Sequence, residues 1–341
     1  MRFWSGAALS LLLAPISPAL ADEIADKAVI CERGAGEEKI QACTFVLQSD
    51  RGSSGARAMV YSARGATYIE LGKLDQAVAD FDAALALNSN LVDALANRAV
   101  ARSRLGQEQS ALQDFNAALA LRPDNVTLLF NRGTTYNHLA KYDLAILDFD
   151  RAIALRPGDA GSFFARGISH RGLGNFPRAI QDFDSAIALK SDYDDVFAER
   201  GVTYAKQGLY DKAAPDFERA IALNSQNYNA LANLAILHSR RKQWNLAVAD
   251  FNRVINLRPR DADSIVMRAN AQFHVENFAK AIMDCSAALT INPKFALALY
   301  IRGLAKSKLG DGAGSSTDIA AARILDEKIA ENYDRGYLIK E

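Results

Sequence analysis

The chain has 341 residues, of which 40 are Lys or Arg and 40 are Asp or Glu. Half are hydrophobic and 23% are charged, which is globular usage and excludes wholesale disorder. The even charge balance argues against a general nucleic-acid binder, and three cysteines with four histidines leave little material for a multi-ligand metal or haem site. No metal and no cofactor is therefore expected. Alanine is abundant and β-branched residues are modest, so the composition leans helical.

Residues 1–21 read as a processing signal. Arg2 supplies a thin positive region, and residues 7–14 (AALSLLLA) form an apolar stretch too short to span a bilayer. Pro15 and Pro18 follow, and Ala19-Leu20-Ala21 has the form of a cleavage site. The expected mature chain starts at Asp22, and the signal's form suits a periplasmic location. No later stretch reaches about 18 consecutive apolar residues, so no integral membrane segment is expected. Residues 22–57 read as an N-terminal cap. Cys31 and Cys43 lie twelve residues apart within it. Export implies an oxidising compartment, so a Cys31–Cys43 disulfide is expected.

From residue 58 onward the chain repeats itself. Stepping by 34 from Arg64-Gly65 lands on Arg98-Ala99, Arg132-Gly133, Arg166-Gly167, Arg200-Gly201, Leu234-Ala235, Arg268-Ala269 and Arg302-Gly303. A second series in the same register runs from Asp80-Phe81 through Asp114-Phe115 and Asp148-Phe149 to Asp284-Cys285 and Asp318-Ile319. In residues 143–155 the apolar positions Ala145, Ile146, Phe149, Ala152 and Ile153 share one face of a helix. Residues 127–139 predict its partner helix, with Gly133 where the two must approach closely. Asp75, Asp143 and Asp211 stand near predicted second-helix starts, where a carboxylate suits the helix N-terminus. Pro177 suits a first turn, and Pro215, about one turn further in, predicts a local kink.

The period, the small residue at position 8, Tyr or a substitute at 11, Ala at 20, Phe at 24, Ala at 27 and Pro at 32 resemble the tetratricopeptide repeat family. The frames are 58–91, 92–125, 126–159, 160–193, 194–227, 228–261, 262–295 and 296–329. The resemblance implies an all-α, right-handed α-solenoid superhelix of about eight helix–turn–helix repeats with terminal caps. In this register residues 40–47 (IQACTFVL) match a second helix shifted by four residues, with Cys43 in the slot of Phe81. Gly52-Ser53-Ser54-Gly55 is expected to absorb the shift. Cys285 falls on the same core slot and reads as a buried, inert thiol. In repeat eight, Gly312, Gly314, Ser315 and Ser316 weaken the start of the second helix. Residues 330–341, with Tyr333 and Tyr337, read as a solubilising cap extension.

No phosphate loop, nucleophile elbow or metalloprotease motif occurs, so no enzyme activity is expected. His170 and His238 fall on position 11 and His138 and His274 on position 13, which reads as packing or surface placement. The recurring Arg at position 7 and Asp at position 23 read as a structural ion-pair ladder. Pairing within a repeat joins Arg64 to Asp80 and leaves only Asp250 unmatched. Pairing to the next repeat joins Asp80 to Arg98 and leaves Arg64, Asp216 and Asp318 unmatched. The count favours the first.

The resemblance implies that positions 2, 5, 9 and 12 of the first helices line a concave groove. That places Phe130, Phe164 and Tyr300 (position 5), Ile168 and Asn270 (position 9), and Arg171 and Phe273 (position 12) on the partner-binding surface. The column is mostly apolar, which suits an extended or helical peptide. Ser62 and Ala66 at positions 5 and 9 of repeat one leave no carboxylate clamp. The expected function is an exported scaffold or adaptor for a protein or peptide partner in a cell-envelope complex. A self-assembling homo-oligomeric solenoid and a regulatory subunit of an envelope enzyme remain as alternatives.

Overall fold

The computed structural model describes residues 18–334. Among these, every regular element is a helix. The chain divides into two compact units, Met1–Gly174 and Asn175–Glu341. The first holds α1 (Pro18–Arg33), α2 (Gly36–Gln48), α3 (Ser54–Glu70), α4 (Leu74–Leu87), α5 (Val92–Arg104), α6 (Glu108–Leu121), α7 (Val126–His138), α8 (Tyr142–Leu155) and α9 (Ala160–Gly172). The second holds α10 (Phe176–Leu189), α11 (Asp194–Lys206), α12 (Tyr210–Leu223), α13 (Tyr228–Arg240), α14 (Trp244–Leu257), α15 (Ala262–His274), α16 (Phe278–Ile291), α17 (Ala296–Lys308), α18 (Gly312–Leu325) and α19 (Ile329–Asp334). Within each unit successive helices pack as antiparallel hairpins, and each hairpin packs on the next. The fold class is an all-α helical-repeat solenoid, as the period implies.

In the hairpins α3–α4, α7–α8 and α11–α12 a glycine faces a phenylalanine ring. Phe81, Phe115, Phe149, Phe183, Phe217 and Phe251 are all at most 1% exposed. A Cβ on Gly133 would sit 2.8 Å from the Phe149 ring, and one on Gly201 would sit 2.7 Å from Phe217. The glycines let these helices meet at the ring's thickness. The turn between the two helices needs one left-handed residue in every repeat. Glycine fills it at 72, 106, 174, 208 and 310, while Ala140, Lys242 and Glu276 adopt it with φ of 53°, 58° and 61°. Asp75, Asp143 and Asp211 do stand in the first turns of their helices. Pro177 lies in the first turn of α10, and α12 is continuous at Pro215. At α18 the side chain of Asp311 accepts a hydrogen bond from the Gly314 backbone N–H at 2.8 Å, and a Cβ on Gly314 would collide with that carboxylate. The glycine therefore fits its own cap.

At the N-terminus α1 and α2 form a degenerate hairpin on α3. The expected register shift falls at the turn before Ser53, whose side chain caps α3, so Ser54 and Gly55 already lie in the helix. Cys31 and Cys43 are joined in a disulfide, with Cα atoms 4.8 Å apart. With the four-residue shift, Cys43 fills the slot of Phe81. The covalent bond thus ties α1 to the core slot that an aromatic ring fills in most of the repeats. Removing it with Cys31→Ala and Cys43→Ala should cost the cap about 2–3 kcal/mol, the value for so short a loop. Hydrogen exchange should then speed up in α1 and α2 and stay unchanged in α7 and α8, because repeats couple chiefly to neighbours. Equal exchange in α1 and α2 would show that packing alone holds the cap.

Residues 1–17 of the expected processing signal (1–21) lie outside the described residues, as does Tyr337. Ala19, Leu20 and Ala21 lie in the first turn of α1. Among the described residues no helix is long and apolar enough to cross a membrane.

Candidate functional site

The first helices of each hairpin carry the residues expected to meet a partner. In the first unit Phe130 projects from α7, its ring centroid 5.9 Å from that of Phe149 and tilted by 59°. The same ring lies over the start of α9, close to where a Cβ on Gly161 would stand. Phe164, Ile168 and Arg171 follow along α9, and all four side chains are half-buried. Asn137, at position 12 of α7, ties the two helices together. Its amide donates to the Ala165 carbonyl at 3.2 Å and its oxygen accepts from the Ser169 hydroxyl at 2.7 Å.

The second unit treats the same repeat positions differently. Asn270 on α15 is 1% exposed and Tyr300 on α17 is 8% exposed. Both are covered by Tyr333 of α19, whose hydroxyl donates to Asn270 Oδ1 at 2.8 Å and whose ring meets Tyr300 edge-on at 5.4 Å. Phe273 packs edge-on against Phe278 at 5.5 Å and against the same apolar cluster as Tyr300. The seven predicted residues therefore fall into two groups, one on α7 and α9 and one on α15 and α17. In the second group two residues are already buried by the chain itself. The C-terminal segment is more than a solubilising extension.

The charged ladder pairs within repeats. Arg132 donates from Nε and Nη2 to both oxygens of Asp148 at 2.8 and 2.6 Å. Arg64–Asp80, Arg98–Asp114, Arg200–Asp216, Arg268–Asp284 and Arg302–Asp318 repeat this two-point contact. The remaining Nη1 reaches back to the preceding hairpin at position 25. There Arg132 meets Asn116 at 2.7 Å, Arg98 and Arg166 meet Asp82 and Asp150, and Arg268 meets Asn252 at 2.9 Å. Thr44 of the cap takes this role for Arg64 at 2.7 Å. Each guanidinium is thus a three-way brace, and the position-25 column is a set of partners that sequence reasoning missed. The signal was a run of small acids, amides and hydroxyls two residues after each Asp.

Position 11, one turn beyond the Arg, supplies a second layer. Tyr68, Tyr136 and Tyr204 each hold the guanidinium 5.9 Å from the ring centroid. Arg102 and Lys306 add a second cation to Asp114 and Asp318 at 2.9 and 2.8 Å. Asp250, expected to stand unmatched because Leu234 replaces the Arg, is instead met by His238 Nδ1 at 2.7 Å. His238 is therefore a ladder residue and not a packing or surface one. The Arg302 and Lys306 hydrogen bonds outweigh burial and hold the Asp318 carboxyl below its ordinary value. A depressed native value means the unfolded chain takes the proton first as pH falls. The stabilisation is therefore present above about pH 4 and lost as pH drops through the native value. Asp318→Asn should flatten the acid limb of unfolding for α17 and α18, read by circular dichroism between pH 5 and 2. An unchanged acid limb would show that another carboxylate controls it.

Cys285 is fully buried, and burial followed by the nearby Asp284 raises its thiol well above the ordinary range. Among the described residues no three His, Cys, Asp or Glu side chains converge as metal ligands.

The family described as "Tetratricopeptide repeat" matches residues 97–160, 164–228 and 198–264, and that described as "TPR repeat" matches residues 65–106. No curated protein matches the chain. Among solved structures, a tetratricopeptide repeat protein from Parabacteroides merdae superposes with a TM-score of 0.51 at 23% identity, covering 70% of this chain and 96% of its own. MamA from Desulfovibrio magneticus gives 0.48 at 20% identity over 51% of this chain and 99% of its own. YrrB, titled a TPR protein with an unusual peptide-binding site, gives 0.46 at 21% identity over 54% and 95%. The first of these likenesses supports the fold alone. With the helix pairs, the small-residue–aromatic slots and the matched residues agreeing in register, the chain belongs to the tetratricopeptide repeat family.

Proposed function

We propose that the chain is an exported scaffold whose first-helix face binds a protein or peptide partner, in the assembly of a cell-envelope complex. In this reading residues 1–21 are removed, residues 22–57 cap the array, eight repeats fill 58–329, and residues 330–341 extend the C-terminal end. The single observation that carries it is the half-buried row of Phe130, Phe164 and Ile168 on α7 and α9. Aromatic and aliphatic anchors with an Arg at the rim are the residue types that dominate peptide docking. A surface already ordered by packing and by the Asn137 bridge loses little entropy on binding. The family's members are typically non-catalytic scaffolds, which accords with this role. Export is supported by the Cys31–Cys43 bond, a bond of oxidising compartments. It is also supported by burial in α1, where the first buried residue described is Ile24, beyond the expected cut.

Photo-crosslinkers placed at Phe130 and at Phe164, with Leu147 of α8 as a control, test the reading in intact cells. Leu147 is 64% exposed and sits on a second helix. One partner captured at 130 and 164 but not at 147 is the expected result. Capture only of further copies of the chain would favour self-assembly, and uniform capture at all three positions would remove the face from consideration.

A further inference from the structure

α19 is only six residues long, too short to persist as a helix in water without docking. Two of the side chains that dock it, Ile329 and Tyr333, lie one turn apart and share a helix face. Ile329 is 5% exposed in the apolar cluster that includes Leu297, Ile301 and Ala322. Tyr333 reaches beyond α17 to α15, where its hydroxyl meets Asn270 at 2.8 Å and His274 Nε2 at 3.5 Å. Position 9 is otherwise apolar or carries a lone threonine, from Ala66 and Val100 through Thr134 to Ile236 and Leu304. Asn270 is the amide in that column. Buried as it is, its oxygen needs a donor, and an aromatic hydroxyl arriving from outside the repeats supplies it. At the same positions of α7 and α9, Thr134, Ile168, Phe130 and Phe164 are only half-buried.

We propose that the first-helix face of the last two repeats is a docking site for a short amphipathic helix with an aliphatic residue four places before a tyrosine, and that α19 is its built-in, displaceable occupant. The proposal rests on the partner-binding reading above and names the kind of partner the C-terminal end accepts. Asn270 and Tyr300 select the tyrosine by its hydroxyl and ring edge. The Leu297–Ile301 cluster receives the aliphatic residue. Ile329 and Tyr333 carry the pattern that the face recognises, so an external helix with the same two side chains at the same spacing competes with α19 for it. The site is therefore closed by the chain's own tail until such a helix is supplied.

The test uses the full chain carrying Tyr333→Ala and a fluorescein-labelled peptide of residues 326–341, read by fluorescence anisotropy. The peptide should bind the variant saturably and at least about tenfold more tightly than it binds the unaltered chain, whose own tail holds the site. Adding Asn270→Ala to the variant, or Tyr333→Ala to the peptide, should abolish that gain. Equal binding to both chains, or none to a correctly folded Tyr333→Ala chain, would overturn the proposal. Should that variant not fold, hydrogen exchange on an Asn270→Ala chain decides. Faster exchange confined to residues 329–334 supports the site, and unchanged protection there overturns it. A partner captured at Phe130 and Phe164 together with no peptide binding would sink this proposal and leave the broader reading standing.

Discussion

Phe149→Ala should cost the third hairpin about 3–5 kcal/mol, the usual loss when a fully buried phenylalanine is emptied. The ring has no exposed surface, and it fills the space that Gly133 leaves between α7 and α8. It also supports Phe130 from beneath, so the candidate partner face should loosen with it. Stability in a repeat array is a sum of hairpin and neighbour terms, so a single global midpoint understates a local loss. Hydrogen exchange over residues 126–155 is the appropriate measurement. The gain in exchange should be largest in α7 and α8, smaller in α6 and α9, and absent in α1. A loss below about 1 kcal/mol would mean that the helices collapse around the vacancy.

Arg132→Ala should cost about 2–4 kcal/mol, the loss for breaking a buried ion pair, discounted because Arg132 keeps partial exposure. Asp148 is 4% exposed and would lose both hydrogen bonds at once, while Asn116 of the preceding hairpin would lose its donor. Adding Asp148→Ala should return much of the loss, because the unpaired buried carboxylate is its main cause. A second rescue copies α13, where Leu234 replaces the Arg and His238 meets Asp250. Arg132→Leu with Tyr136→His should therefore be more stable than Arg132→Leu alone in urea unfolding. Failure of both rescues would show that the aliphatic stem of Arg132, and not its charge, holds the hairpins together.

Much of the site's scaffold was legible because it repeats. A contact such as Gly133 on Phe149 joins two helices of one hairpin at a fixed spacing, so its signature recurs every 34 residues. The within-repeat Arg–Asp pairs were readable for the same reason, and Cys43 of the cap fell on a slot the repeats had defined. The position-25 partners were less legible. Asp82, Asn116, Thr44 and Ser286 share no residue type, only the ability to accept a hydrogen bond. His238 was missed because its role arises only where Leu234 removes the usual cation.

The amino-acid sequence by itself determined the helical class, the hairpin frame and the identity of each buried slot, since short-range periodicity and turn chemistry dictate those locally. Tertiary structure alone decided which surface stays open. Tyr333 meets Asn270 across 63 residues of sequence, and no spacing rule links the two. Whether α19 packs on α17 and α18 and sends Tyr333 across to α15 depends on the shape and polarity of a face assembled from several helices. The face on α7 and α9 therefore remains partly exposed, while its counterpart on α15 and α17 is filled by the chain itself.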